Sequence, residues 1–160
     1  MRLYAIELAN KNNLPLITIF GLTADYPEAN ARHYDFLLRG LVDVRNSLTQ
    51  MGIPFVIQYG SPDDVVLGCS KRAAAIVVDR GYLRIQKKWR EELSVKVDCP
   101  LIQVESDVVV PVDLVSRKEE YSAATIRPKI SRFVNEFLLP IRTPKLKKKN
   151  FKHCFDSISL

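Results

Sequence analysis

A chain of 160 residues, 47% hydrophobic and 26% charged, has the length of one domain and enough apolar side chains for one core. No apolar run approaches the roughly 20 residues of a membrane helix, and the opening Met1-Arg2-Leu3-Tyr4 lacks the pattern of a signal peptide, so a cytoplasmic protein with no membrane partner is expected. The formal net charge of +6 is uneven: Lys145, Lys147, Lys148, Lys149, Lys152 and His153 crowd the last 16 residues. Such a run can hold phosphates, but no aromatic alternates with it as a base-stacking platform would require. DNA binding is therefore expected to be weak and non-specific at most.

Residues 3–10 read as the end of a helix, with Leu3 and Ile6 inward and Asn10, Asn12 and Asn13 as stop residues. Residues 14–20, short, apolar and with little alternation, read as a buried strand of the parallel kind. The clearest helix lies at 30–50, where Tyr34, Leu37, Leu38, Leu41, Val44 and Leu48 recur at three- and four-residue steps and Gly52 stands ready to end it. A second strand follows at 54–59. Gly60-Ser61-Pro62-Asp63-Asp64 is a helix start: Ser61 caps, Pro62 suits the first turn, and the two aspartates complement the dipole. That reading is preferred to a pair of catalytic acids.

The third strand is 74–78, ending at Asp79. A helix at 83–93 puts Ile85, Trp89 and Leu93 on one face, which makes Trp89, the only tryptophan, a core anchor. A fourth strand runs over 101–105, and 108–112 is a short extended piece broken by Pro111. Residues 122–138 are helical, with a kink or fresh start at Pro128. A domain over 1–139 is thus followed by a basic, disordered tail at 140–160 with no packing role. Alternation of strand and helix predicts an open, parallel, Rossmann-like α/β sheet with flanking helices.

Ligands of such sheets bind beyond the carboxyl ends of the strands. The loops there bring Phe20, Gly21, Gly60, Ser61, Asp79, Arg80, Gly81 and Tyr82 to one rim. Glycines let a ligand approach the backbone, Arg80 and Tyr82 could stack on a flat ring, and Asp79 could accept hydrogen bonds. The alternative is that these are ordinary turn residues. There is no GxGxxG, GxxxxGK[ST] or GxSxG pattern. Cys69, Cys99 and Cys154 stand far apart, and neither His33 nor His153 has a partner at ligand spacing, so no metal is expected. The residues alone point to a binding domain more than to a self-sufficient catalyst.

Taken together, the segments NLPLITIFGL, ARHYDFLLRGLVDVRNSLTQMGIPFVIQYGSP, AAIVVDRGYLRIQKKWREEL and PLIQVESDVVVPVDLVSRKEEYSAATIRPKI resemble the amino-terminal domain of class II cyclobutane-pyrimidine-dimer photolyases, in order and spacing. The stretch 109–130, VVPV followed by EYSAATIRPKI, is the most specific. The resemblance implies an α/β domain that packs on a helical domain, the latter holding FAD and the damaged DNA. It also implies an antenna chromophore, an 8-hydroxydeazaflavin in some members, near the strand-end loops, with Phe20, Gly21, Asp79 and Tyr82 at matching positions. No repair is expected of this chain alone, because the FAD-binding helical region is missing from it. A free-standing nucleotide-binding or interaction module is the alternative, and a DNA-binding accessory acting through the basic tail a third.

The resemblance further implies a first strand, lying between the strands at 14–20 and 74–78 and preceding the helix in which this chain begins. Without it those two strands are expected to pair directly or to take a strand from another chain rather than leave a gap. Association through exposed strand edges is a further expectation.

Overall fold

The structure is a computed structural model that describes residues 1–141 and 143–160. Its elements in chain order are α1 (Arg2–Lys11), β1 (Thr18–Leu22), α2 (Ala31–Gln50), β2 (Phe55–Tyr59), α3 (Pro62–Ser70), β3 (Ile76–Asp79), α4 (Arg84–Lys96), β4 (Leu101–Val104), α5 (Val112–Val115), α6 (Ala123–Ser131) and α7 (Val134–Phe137). The fold is α/β, with short parallel strands flanked by helices.

The elements form where the local chemistry directs. Asn30 caps α2: its side-chain oxygen accepts from the amides of Arg32 (3.1 Å) and His33 (3.4 Å), and His33 Nδ1 accepts from the Asn30 amide in return. Leu41 and Leu48 are buried along its inner face, while Val44 stays exposed. The helix ends at Gln50, and Gly52, two residues on, turns the chain away with a φ of +72° that is open to glycine at little cost. Ser61 caps α3 by accepting from the Asp64 amide, and Pro62 fills the first turn. Pro128 lies inside α6, and the break falls after Ser131 rather than at the proline. The piece at 108–112 forms no strand; Pro111 caps α5 instead.

β1 pairs with β2 in parallel, Thr18 opposite Phe55 through Leu22 opposite Tyr59. β3 pairs with β4 in parallel, Ile76 opposite Leu101 through Asp79 opposite Val104. The two pairs are not hydrogen-bonded to each other, so the order is β2-β1 and, separately, β3-β4. Direct pairing of the strand at 14–20 on the one at 74–78, one of the two outcomes expected from the sequence, does not occur. Tyr26, after β1, meets Trp89 of α4 with ring centroids 6.2 Å apart. Val56 and Ile57 of β2 are fully buried, but every residue of Ile76–Val78 is only half-buried.

The core gathers Ile6 and Ala9 of α1, Leu48 of α2, Ile53, and Leu146, with Leu16, Met51 and Phe55 packed against them. Leu146 belongs to the segment that the sequence leaves as a disordered tail, and the correction is substantial. Asn10 clamps the segment at both sides, donating to the Lys145 carbonyl and accepting from the Lys147 amide at 2.9 and 2.8 Å. The Asn150 amide donates to the Gly52 carbonyl. Farther on, the Ile158 amide donates to the Ile57 carbonyl and the Ile57 amide donates to Ser157 Oγ, so the outer edge of β2 is covered. One leucine among lysines is enough to dock the segment, and the unpaired edge of β2 supplies the rest.

At the α5–α6 junction Glu120 accepts from Lys129 and from Ser116, and these contacts pull its carboxyl down to about 2 from the usual 4.5. A depressed carboxyl contributes stability that is complete above its unfolded value and fades as pH falls toward the folded one. The junction is therefore expected to stay intact at pH 5 and to loosen between about pH 4 and about pH 2. NMR titration of the Glu120 carboxyl, with the Thr125 and Ile126 amides as reporters, checks this; Glu120→Gln should remove the dependence.

Candidate functional site

β1 ends at Leu22 and the chain turns out through Thr23 and Tyr26 before entering α2. Beside it lies an apolar cavity of about 400 Å³. Ile19, Phe20, Gly21 and Leu22 form one wall, Thr23, Tyr26 and Ala29 the mouth, His33, Tyr34 and Leu37 the α2 side, Pro62 and Val66 the α3 side, and Trp89 the far side. The polar groups on the walls are largely committed: the Tyr34 hydroxyl donates to the Thr23 carbonyl at 3.0 Å, and His33 Nδ1 serves the α2 cap. What remains facing inward is aromatic and aliphatic surface.

Gly21 is where the cavity wall meets the start of α3. A Cβ there would lie 2.7 Å from Pro62 Cα and 3.1 Å from the Ser61 carbonyl oxygen, so only glycine lets β1 and α3 approach this closely. Gly60 and Ser61 thus bear on the cavity by placing Pro62 and Val66, not by lining it.

Asp79, Arg80 and Tyr82 belong to the other strand pair and do something different from what the sequence suggests. Arg80 Nη1 pairs with Asp113 Oδ2 at 2.7 Å and with Glu105 Oε2 at 3.3 Å. The Tyr82 hydroxyl donates to Glu105 Oε1, which also accepts from the Val112 amide at 2.9 Å. The guanidinium sits 5.8 Å from the Tyr82 ring centre. Arg80 and Tyr82 are stacked on each other and tied to the β4–α5 connection, a more polar depression of about 510 Å³ that also includes Lys87, Arg90 and Arg117. The hydrogen bond from Arg80 holds the Asp113 carboxyl below the usual carboxylate range, and the same contact raises the guanidinium. Asp79 accepts from Ser106 Oγ, and the Met1 ammonium lies 4.0 Å from its carboxylate.

The eight residues expected at one rim therefore separate: Phe20 and Gly21 at the apolar cavity, Gly60 and Ser61 behind it, and Asp79, Arg80, Gly81 and Tyr82 on the second strand pair. Sequence reasoning missed Tyr26, Tyr34 and Val66 as cavity walls, took Trp89 for a core anchor, and missed Glu105 and Asp113 as partners of Arg80. Among the described residues no cluster of three or more His, Cys, Asp or Glu is placed to hold a metal ion, and no helix is long and apolar enough to cross a membrane.

Short parallel strands flanked by helices define a mixed α/β domain. The chain belongs to the DNA photolyase family, whose model matches residues 4–146, the amino-terminal α/β domain. It is 53% identical over 144 residues to the deoxyribodipyrimidine photo-lyase of Methanothermobacter thermautotrophicus, a match covering 90% of this chain and 32% of that protein. It is 36% identical over 140 residues to the enzyme of the same name from Potorous tridactylus, covering 85% and 26%, and 31% identical over 148 residues to that of Arabidopsis thaliana, covering 90% and 29%. The chain thus spans a third or less of the length of these curated relatives. Among solved structures, a universal stress protein family member from Burkholderia pseudomallei overlaps 64% of this chain and 83% of its own with a TM-score of 0.41 at 17% identity, a likeness that says nothing of function.

The exposed lysines at 145 and 147–149 radiate from the anchored Leu146. They offer phosphates a contact but carry no base or lesion readout. DNA retention by this chain is expected to be weak, indifferent to dimers and steeply salt-dependent. Each lysine that pairs with a phosphate contributes about 0.9 to the slope of log K against log salt, so replacing Lys147, Lys148 and Lys149 with alanine should flatten that slope by up to about 3 in a filter-binding titration.

Proposed function

We propose that this chain is the chromophore-holding α/β part of a class II cyclobutane-pyrimidine-dimer photolyase, a light-driven carbon–carbon lyase of DNA repair. The apolar cavity beside β1 takes a flat antenna chromophore of the 8-hydroxydeazaflavin kind. FAD, damaged DNA and the bond-breaking step belong to a helical domain with which this part pairs. The observation that carries the reading is the cavity itself, at about 400 Å³, walled by Phe20, Tyr26 and Trp89. Its volume falls in the roughly 300–1,000 Å³ range of small-molecule sites, and aromatic faces suit a fused-ring ligand. The motif run VVPV at 109–112 and EYSAATIRPKI at 120–130 supports class II. When bound, the antenna would supply captured light energy. The chain's own part is to hold the ring system against Phe20 and Trp89 and keep water from it.

Trp89, as the sole tryptophan, is a built-in reporter. Titration with 8-hydroxydeazaflavin should quench its emission with one-to-one stoichiometry. Leu37→Arg, which puts a charge on a cavity wall, should weaken binding at least about tenfold, whereas Tyr82→Phe should leave it unchanged. Quenching lost in Tyr82→Phe and kept in Leu37→Arg would move the site to the other strand pair.

A further inference from the structure

Two of the three cysteines come together at the carboxyl end of α3. Cys69 lies in the last turn of that helix and is buried. Cys154 lies beyond the docked Leu146 and is exposed. The link between them is Arg72. Helical backbone continues past Ser70 into Lys71, and the Ala73 amide donates to the Ser70 carbonyl, so the turn that holds Arg72 follows α3 directly. Residues three apart on such a turn are neighbours. Arg72 Nη1 donates to Cys154 Sγ at 3.2 Å, across 82 positions of sequence. The Cys69 thiol registers the same neighbour: burial pushes it up, and Cys154 adds to the rise. Cys99 lies elsewhere, between α4 and β4, and is half-buried.

The stretch that carries Cys154 is held on both sides. Before it, the Asn150 amide donates to the Gly52 carbonyl. After it, Gln58 Nε2 donates to the Asp156 carbonyl at 2.9 Å, and the Ile57 amide donates to Ser157 Oγ at 3.0 Å. The Ile158 amide donates to the Ile57 carbonyl at 2.8 Å, and Arg45 Nη2 donates to the Ile158 carbonyl at 3.1 Å. The flanking rings of His153 and Phe155 are half-buried and stacked, with centroids 5.9 Å apart. Cys154 is therefore kept at the end of α3 rather than swinging through solvent. Arg72 is the group between the two sulfurs, and as a long exposed side chain it is free to move aside.

We propose that Cys69 and Cys154 are an oxidative modification site: a low-molecular-weight disulfide converts them to an intramolecular bond that staples residues 150–158 to α3. Cys154, the exposed one of the two, reacts first. Its sulfur gives up a proton to water and attacks one sulfur of the small disulfide; that S–S bond breaks, one small thiolate leaves and takes up a proton, and Cys154 carries the other half as a mixed disulfide. The Arg72 guanidinium sits against the sulfur that is negative in this step. Cys69 then gives up its proton and attacks Cys154 Sγ, the protein disulfide forms, and the second small thiol leaves. Two protein thiols lose two electrons and two protons, and one small disulfide becomes two thiols. A bond between positions so far apart in sequence constrains the unfolded chain strongly. It also fixes the strip over the outer edge of β2. The inference does not rest on the chromophore reading, because its readout is a cross-link and not a ligand spectrum.

The probe is oxidised glutathione, added to the full folded chain before alkylation and peptide mapping. The expected product joins the peptides that hold Cys69 and Cys154 within one chain and leaves Cys99 alkylated. Cys69→Ser should stop the reaction at a glutathione adduct on Cys154, and Cys99→Ser should leave the cross-link unchanged. In the oxidised chain, hydrogen exchange at the Asn150 and Ile158 amides should slow by at least about tenfold, and dithiothreitol should restore the original rates. A bond to Cys99, a Cys154–Cys154 dimer, an adduct on Cys154 that Cys69 never displaces, or a Cys69–Cys154 bond that leaves both amides exchanging as before would overturn the proposal. Should Cys69→Ser fail to fold, Cys154→Ser, at the exposed position, takes its place: loss of the cross-link with Cys69 left as a free thiol supports the pair, and a cross-link that persists contradicts it.

Discussion

Gly21→Val is expected to destabilise the chain by about 1–3 kcal/mol, the usual cost of overpacking a close contact. The new Cβ would fall 2.7 Å from Pro62 Cα and 3.0 Å from Pro62 N, and both are backbone atoms that cannot swing aside as a side chain would. Either β1 moves off α3, or the first turn of α3 unwinds and Ser61 loses its cap on Asp64. The change also narrows the cavity at its wall, so chromophore affinity should fall with stability. A urea titration monitored by Trp89 fluorescence measures the first effect. Gly68→Ala is the matched control: nothing lies within 4 Å of its would-be Cβ, it sits inside α3, and alanine there should be neutral or stabilising.

The second large effect is an absence of activity. Supplied with reduced FAD, light and dimer-containing DNA, the 160-residue chain is expected to restore no dimers. The family resemblance places flavin and lesion in a helical domain, and this chain matches a third or less of its relatives' length. The cavity it does offer is apolar and lined mainly by β1, α2, α3 and Trp89, a site suited to holding a ring system. Light-dependent loss of dimers in a gel assay with the isolated chain would refute the division of labour proposed above.

Much of the fold was legible because its signals are local. Asn30, the three- and four-residue spacing through Leu48, and Gly52 mark α2 from end to end, and Ser61-Pro62 mark the start of α3. Apolar runs gave the four strands to within a few residues, and the alternation of strand and helix gave the class. The matching segments gave the family.

What escaped is non-local. Tyr26 and Trp89 meet across the two strand pairs, and no periodicity joins them. Glu105 and Asp113 reach Arg80 from 25 and 33 residues away, so Arg80 read as a group open to stack on a ligand ring. Residues 140–160 read as a tail because Leu146 is one apolar residue among lysines. Its partners Ile6, Leu48 and Ile53, and the open edge of β2, come from elsewhere in the chain. Strand pairing escaped for the same reason. Apolar runs say that β1 and β3 belong in a sheet, not whether they are neighbours.

In the proposed function, the cavity beside β1 holds the antenna. The most direct measurement is an NMR shift map of the chain titrated with 8-hydroxydeazaflavin. Ring-current shifts are expected at Phe20, Gly21, Thr23, Tyr26 and the Trp89 indole, with Arg80, Tyr82 and Asp113 undisturbed. Shifts confined to the Arg80–Tyr82–Asp113 side, or no saturable shifts at all, would contradict it.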